Sequence, residues 1–142
     1  MSTISDGGVT SSRGRDHTQV LVLIRSLDPG GTQAQLYALA KTARRFGMDL
    51  EVLTFYSGGA FAEKIRREGV LVASLEKRRR WDVLSFLWRL IREVRARRPD
   101  IIYAQMGMAN ELALLAGLLS GSRVVWGIRS AFMDWPSYDW LA

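Results

Sequence analysis

Five apolar residues in a row, Val20-Leu21-Val22-Leu23-Ile24, are the first strong feature of the chain. All are β-branched or leucine, and an unbroken run of this kind predicts a strand buried on both faces. Pro29, Gly30 and Gly31 break the run sharply. From Thr32 to Phe46 apolar and small residues recur at helical spacing (Ala34, Leu36, Tyr37, Leu39, Ala40, Ala43, Phe46), and Gly47 supplies a C-cap. Strand, glycine turn and helix follow one another within 30 residues.

The same alternation continues along the chain. Leu50 to Phe55 reads as a second strand, and Tyr56-Ser57-Gly58-Gly59 as a turn at its carboxyl end. A short helix over Phe61 to Glu68 turns Phe61, Ala62 and Ile65 inward and stops at Gly69. Val70 to Leu75 is a third strand, followed by a basic linker, Lys77 to Arg80. The pattern then predicts a long helix over Trp81 to Arg98. Its main apolar stripe is Trp81, Leu84, Leu87, Trp88, Ile91 and Val94, widened by Val83, Phe86 and Leu90, with the tryptophans expected against the sheet. Pro99 ends it. Asp100 to Ala104 is a fourth strand, Gln105 to Asn110 a loop or helix start, Leu112 to Leu119 a fourth helix closed by Gly121, and Arg123 to Ile128 a fifth strand.

Five strands alternating with four helices predict an α/β domain, a Rossmann-like parallel sheet wrapped by helices with strand one central. Ligands bind such sheets outside the carboxyl ends of the strands. Four stretches collect there: the Gly30-Gly31 turn, the Ser57-Gly58-Gly59 turn, the Gln105 to Asn110 loop and the Arg129 to Asp134 loop. At 142 residues the chain has room for one domain, assigned to residues 19–142, with a polar, disordered tail over residues 1–18. No full helix follows strand five, so the sheet is expected to be incomplete at its C-terminal end.

Composition removes several kinds of chemistry. The chain has no cysteine and a lone histidine, His17, in its polar N-terminal region, which leaves no thiolate or histidine metal site and no Ser-His-Asp arrangement. No apolar run approaches the roughly 20 residues of a membrane span. The start of the chain lacks the basic and apolar segments of a secretory signal, so a cytoplasmic location is expected. The net charge of +6 calls for an acidic partner.

The glycine turn after strand one suits a phosphate or diphosphate. Unpaired backbone N–H groups at a helix N-terminus face outward there, the helix dipole favours an anion, and two glycines let it come close. The alternative is a tight βα turn that holds no ligand. The spacing is neither G-x-G-x-x-G nor a P-loop.

In this order the pieces resemble the N-terminal domain of the family-4-like, retaining glycosyltransferases of the B-type fold. The likeness rests on Ser26-Leu27-Asp28-Pro29-Gly30-Gly31 with the helix ending in Arg44-Arg45-Phe46-Gly47-Met48. It rests also on Arg98-Pro99-Asp100-Ile101-Ile102-Tyr103-Ala104-Gln105, similar to the family's R-P-D-V-V-H-A-H strand, and on Ala109-Asn110-Glu111-Leu112, similar to its H-A-N-L helix start. Val124-Val125-Trp126-Gly127-Ile128-Arg129-Ser130, with Met133-Asp134 and Tyr138-Asp139-Trp140 behind it, resembles a W-G-I-R run in one branch of these enzymes. The chain departs from the family in having Gln105 where histidine is common. Glutamine can hydrogen-bond a sugar hydroxyl but cannot carry a proton near neutral pH.

The resemblance implies the acceptor-side half of a glycosyltransferase, which moves a sugar from a nucleotide-sugar donor to a glycan or lipid-linked acceptor. Family members have a second domain that supplies most donor contacts, including a basic pair and an E-x7-E motif, and a chain of 142 residues read as one domain is not expected to contain it. The chain is therefore expected to be a truncated domain, inactive alone, with no cofactor. Rate in such enzymes comes from positioning and from stabilising charge on the leaving diphosphate. By resemblance Gly30 and Gly31 touch the donor's diphosphate, Gln105 and Asn110 contact sugar hydroxyls, and Arg129 pairs with a phosphate or an acidic acceptor group. The plainer roles are loop and helix capping for Gln105 and Asn110, and a surface ion pair for Arg129. The alternative for the whole chain is a non-catalytic fragment or binding module that needs a separate donor-binding domain.

The segment from Lys77 to Arg98 holds nine basic residues against Asp82 and Glu93. It is expected to attach electrostatically, without insertion, to an anionic membrane surface at the inner face of the membrane. Nucleic acid is not an expected partner, since helix-turn-helix and base-stacking patterns are missing.

Overall fold

The computed structural model describes residues 17–77, 83–105 and 107–127. Within them the order is β1 (Thr18–Ile24), α1 (Gly31–Thr42), a 3-10 turn (Ala43–Phe46), β2 (Met48–Thr54), α2 (Ala60–Arg67), β3 (Leu71–Ser74), α3 (Val83–Arg97), β4 (Ile101–Gln105), α4 (Met108–Ser120) and β5 (Arg123–Gly127). The strands form one parallel sheet in the order β3-β2-β1-β4-β5. The expected α/β, Rossmann-like sheet with strand one at its centre is what forms. All but Thr18 of the tail assigned to residues 1–18 lies outside the described residues or, as His17, just before β1.

The apolar run of β1 is buried on both faces because its residues divide between two cores. Val20, Val22 and Ile24 join Leu36, Ala40, Ala62 and Ile65 under α1 and α2. Leu21 and Leu23 join Phe86, Leu90, Val94, Ala109, Ala113 and Ala116 under α3 and α4. A period of two in the strand thus feeds two helical layers.

Two expectations about helix faces and ends are corrected. The α3 residues against the sheet are Phe86, Leu90 and Val94, and Trp88 points outward at 61% exposure with Leu84 at 83%. Phe86 decides this register: its ring meets Phe55, just past β2, edge-on at 5.1 Å, and residues four and eight further on follow it inward. Trp88, two positions on, is carried away from the sheet, and the Arg92 guanidinium lies 4.9 Å from its ring. Trp81 lies outside the described residues. Second, the first helix tightens into a 3-10 turn at Ala43, which rotates Phe46 into solvent before Gly47 closes the end with a left-handed backbone. Of the loop or helix start expected over Gln105 to Asn110, Gln105 ends β4 and Asn110 lies in the first turn of α4, which starts at Met108.

At the amino edge of the sheet, Asp49 accepts hydrogen bonds from Gln19 Nε2 at 3.0 Å and from the His17 ring at 3.4 Å. The Gln19 bond, then the His17 bond, hold the Asp49 carboxyl below its usual range. Arg97 ties α3 to the sheet by donating to Glu51 Oε2 at 2.9 Å and to Glu93.

Candidate functional site

Strand order reverses between β1 and β4, since the chain builds outward from β1 to β3 and then returns to β1's other side. The crevice beyond the carboxyl ends of those two strands is where open α/β sheets take ligands. A cavity of about 410 Å³ lies there, lined by Ile24, Arg25, Ser26, Gln33, Phe55, Tyr56, Lys77, Gly107, Met108 and Ala109. Its floor is apolar, from Ile24, Phe55 and Ala109, and its rim is polar and basic. A second cavity, of about 260 Å³, opens between Arg44, Asp49, Glu51 and Glu68 at the amino ends of the strands.

The loop after β1 is held in place from two sides. Gln33 Nε2, one turn into α1, donates to the Ser26 carbonyl at 3.1 Å. From the other side Gly59 presses on the loop's backbone: a Cβ there would collide with the Leu27 carbonyl and lie 2.8 Å from Asp28 N, and Gly59 has φ 93°. Phe61 N also donates to the Leu27 carbonyl, at 3.1 Å. The second glycine turn therefore acts as a brace for the first.

Gly30 is the residue that precedes α1, and no side chain caps that helix. A Cβ on Gly30 would crowd the Gln33 amide, whereas one on Gly31 would meet nothing within 4 Å. The first turn of α1 has no acidic residue, unlike α2 with Glu63 and α4 with Glu111. No first-turn carboxylate offsets its positive end. The glycine pair is exposed beside Gln33 and does not itself line the cavity.

Gln105 ends β4, in register with Ile24 on β1 and Gly127 on β5, and only 2% of it is exposed. Among the described residues its Oε1 meets no hydrogen-bond donor, and the same holds for Asn110 Oδ1. An unmet buried acceptor costs about 1–3 kcal/mol. Two of them stand within five residues, at the end of the strand and the first turn of the helix that flank the crevice. Arg129 lies outside the described residues.

The sequence reading missed Arg25, Tyr56 and Lys77 as site residues. Each lies just past the end of a strand, β1, β2 and β3 respectively. Counting one to three residues beyond each predicted strand would have found them. Arg25 lies 5.8 Å from the Tyr56 ring and Lys77 5.5 Å from that of Phe86.

A family model described as "Glycosyl transferase 4-like domain" matches residues 30–142. No curated protein matches the chain. Among solved structures, a glycosyltransferase from Rickettsia africae shares 14% identity at a TM-score of 0.65, over 87% of this chain and 34% of that one. HepE from Anabaena, solved in complex with UDP and glucose, shares 21% at 0.57, over 78% and 29%. Phosphoribosylglycinamide formyltransferase from Brucella melitensis shares 15% at 0.61, over 84% and 61%. Likeness at these identities is likeness of fold, and the chain spans about a third of the length of the two glycosyltransferases.

Proposed function

The chain belongs to the glycosyl transferase 4-like domain family, and from that premise we propose that it is the acceptor-side half of a glycosyltransferase. It takes a glycan or lipid-linked acceptor in the crevice beyond β1 and β4. A donor-binding domain supplies the nucleotide-sugar from across the cleft. The observation that carries this reading is the switch-point cavity, with two unmet acceptors, Gln105 Oε1 and Asn110 Oδ1, buried next to its lining residues Gly107 and Ala109 rather than lining it themselves. Sugar hydroxyls are donors of the right size to meet them.

In this reading Gly31, open to solvent at the uncapped start of α1, approaches the donor's diphosphate, with Gly30 held beside it by Gln33. Arg129 pairs with a phosphate or an acidic group of the acceptor. HepE, whose fold this chain shares, holds UDP and glucose. That complex supports a nucleotide-sugar as donor here.

The chain works at the inner face of a membrane. Among the described residues no helix is long and apolar enough to cross one. Leu84 and Trp88 are exposed on α3 beside Arg92, an arrangement that suits shallow burial of the apolar pair among anionic headgroups. Attachment then has an apolar part besides the electrostatic one that the sequence implied.

Amide NMR shifts of the chain titrated with a set of acceptor-like glycosides test the reading. Shifts grouped on Arg25, Ser26, Gln105 and Met108–Asn110 are expected. Glycosides that shift only residues elsewhere would contradict it.

A further inference from the structure

We propose that the acceptor bears a phosphoryl group and that Arg25 and Lys77 hold it. The proposal rests on the acceptor-side reading above and names the chemical class of that acceptor.

The two cations stand on the rim of the same cavity, one past β1 and one past β3. None of the ten residues lining that cavity is acidic. The nearest carboxylates in sequence, Asp28, Glu76 and Glu111, belong to flanking segments and do not line it. Neither Arg25 nor Lys77 forms an ion pair with a described carboxylate. Each is instead set beside an aromatic ring, Arg25 at 5.8 Å from Tyr56 and Lys77 at 5.5 Å from Phe86. A ring on one side limits where the cation can go and leaves its N–H groups free to donate. Gly107, Met108 and Ala109 at the start of α4 also line the cavity, and Gly107 leaves that helix without a side-chain cap.

Two cations without a carboxylate partner on one apolar-floored cavity make a poor site for a neutral sugar alone. Desolvating the cations costs free energy that a hydroxyl does not repay, whereas a phosphoryl oxygen does. A phosphate dianion has oxygens enough to accept from an Arg fork and a Lys ammonium at once. The apolar floor of Ile24, Phe55 and Ala109 lies beneath whatever that phosphate is esterified to. The phosphate comes either from a prenyl phosphate in a membrane or from a water-soluble sugar phosphate.

The test is a binding titration of the full 142-residue chain, followed by amide NMR, with three probes: a hexose 1-phosphate, farnesyl phosphate in neutral detergent, and a methyl glycoside. Arg25→Gln, Lys77→Gln and, as a control on α2, Arg67→Gln are compared with the parent chain. Both replaced cations are on the rim, so the fold should survive their loss, and unchanged dispersion of the amide spectrum checks this. At least one phosphate ester should shift Arg25, Ser26, Lys77 and Met108. Its affinity should fall about tenfold in each of the two site variants and not in Arg67→Gln, the loss typical of one charge-assisted hydrogen bond. Lys77→Arg should restore most of it. Tighter binding of farnesyl phosphate assigns the membrane source, and tighter binding of the hexose phosphate assigns the soluble one. If the methyl glycoside shifts the cavity while neither phosphate ester depends on Arg25 or Lys77, the phosphoryl assignment is wrong and the acceptor-side reading stands. If no probe shifts the cavity, both are overturned.

Discussion

Gln105 and Ile24 stand opposite each other in register at the carboxyl ends of β4 and β1. At the same level of the sheet, one strand ends in a buried aliphatic side chain and its neighbour in a buried amide whose oxygen meets no described donor. Packing alone would favour a second aliphatic residue there. Gln105→Leu should therefore leave stability unchanged or raise it by up to about 1 kcal/mol, since it removes an unmet acceptor. Urea denaturation checks this, and a loss above about 2 kcal/mol would show that the amide is held for structural reasons.

The two glycines of the second turn should differ. Gly59→Ala drives a Cβ into the Leu27 carbonyl and also strains a residue at φ 93°. Gly58→Ala, at φ 89°, meets nothing within 4 Å. The first should cost about 2–4 kcal/mol and the second about 1–2 kcal/mol, the backbone penalty alone. Equal losses by thermal or chemical unfolding would contradict the bracing role of Gly59.

The α3 register predicts opposite outcomes for two aromatic residues. Phe86→Ala empties a core position and should cost about 3–5 kcal/mol. Trp88→Ala should change stability by less than about 1 kcal/mol, given its exposure. It should nevertheless weaken co-sedimentation with anionic vesicles, and that binding should also fall as salt screens the basic face. Wild-type retention of Trp88→Ala on anionic vesicles, or equal binding to neutral ones, would contradict the membrane reading.

Asp49 gives a pH signature at the edge away from the site. Its carboxyl is held low in the folded chain, mainly by Gln19 and then by His17. The stability it contributes is thus fully present above the ordinary carboxylate value of 3.8 and is lost as pH falls through its lower folded value. Carboxyl NMR titration should find Asp49 below 3.8, and Gln19→Leu should move it back up. An Asp49 titration unaffected by Gln19→Leu would contradict that cause.

The sequence carried the fold almost completely, because in a doubly covered sheet each strand is a short apolar run and most breaks hold a Gly or Pro. Val20 to Ile24 and Pro29-Gly30-Gly31 set the centre of the sheet from local pattern alone. It carried the face of α3 poorly. That helix has apolar residues on well over half its circumference, so period alone could not choose between Trp88 and Phe86. The choice was made by Phe55, which is distant in sequence. For the candidate site, the resemblance pointed to Gln105 and Asn110, which do not line the cavity, whereas Arg25 and Lys77, which do, were hidden. A basic residue after a strand looks like any solvated loop residue until the neighbouring loops are brought together. Arg25 became a site residue only when β3 and β4 placed Lys77 and Gly107 around the same cavity.

The most direct test of the acceptor-side role is nucleotide release. The chain is mixed with the donor-binding domain of a family member, a panel of nucleotide-sugars, and an extract of lipids and glycans as acceptor source. The account predicts release only when both protein halves are present, cut at least tenfold by Gln105→Leu. Release by the donor domain alone at the full rate, or release indifferent to Gln105→Leu, would contradict it.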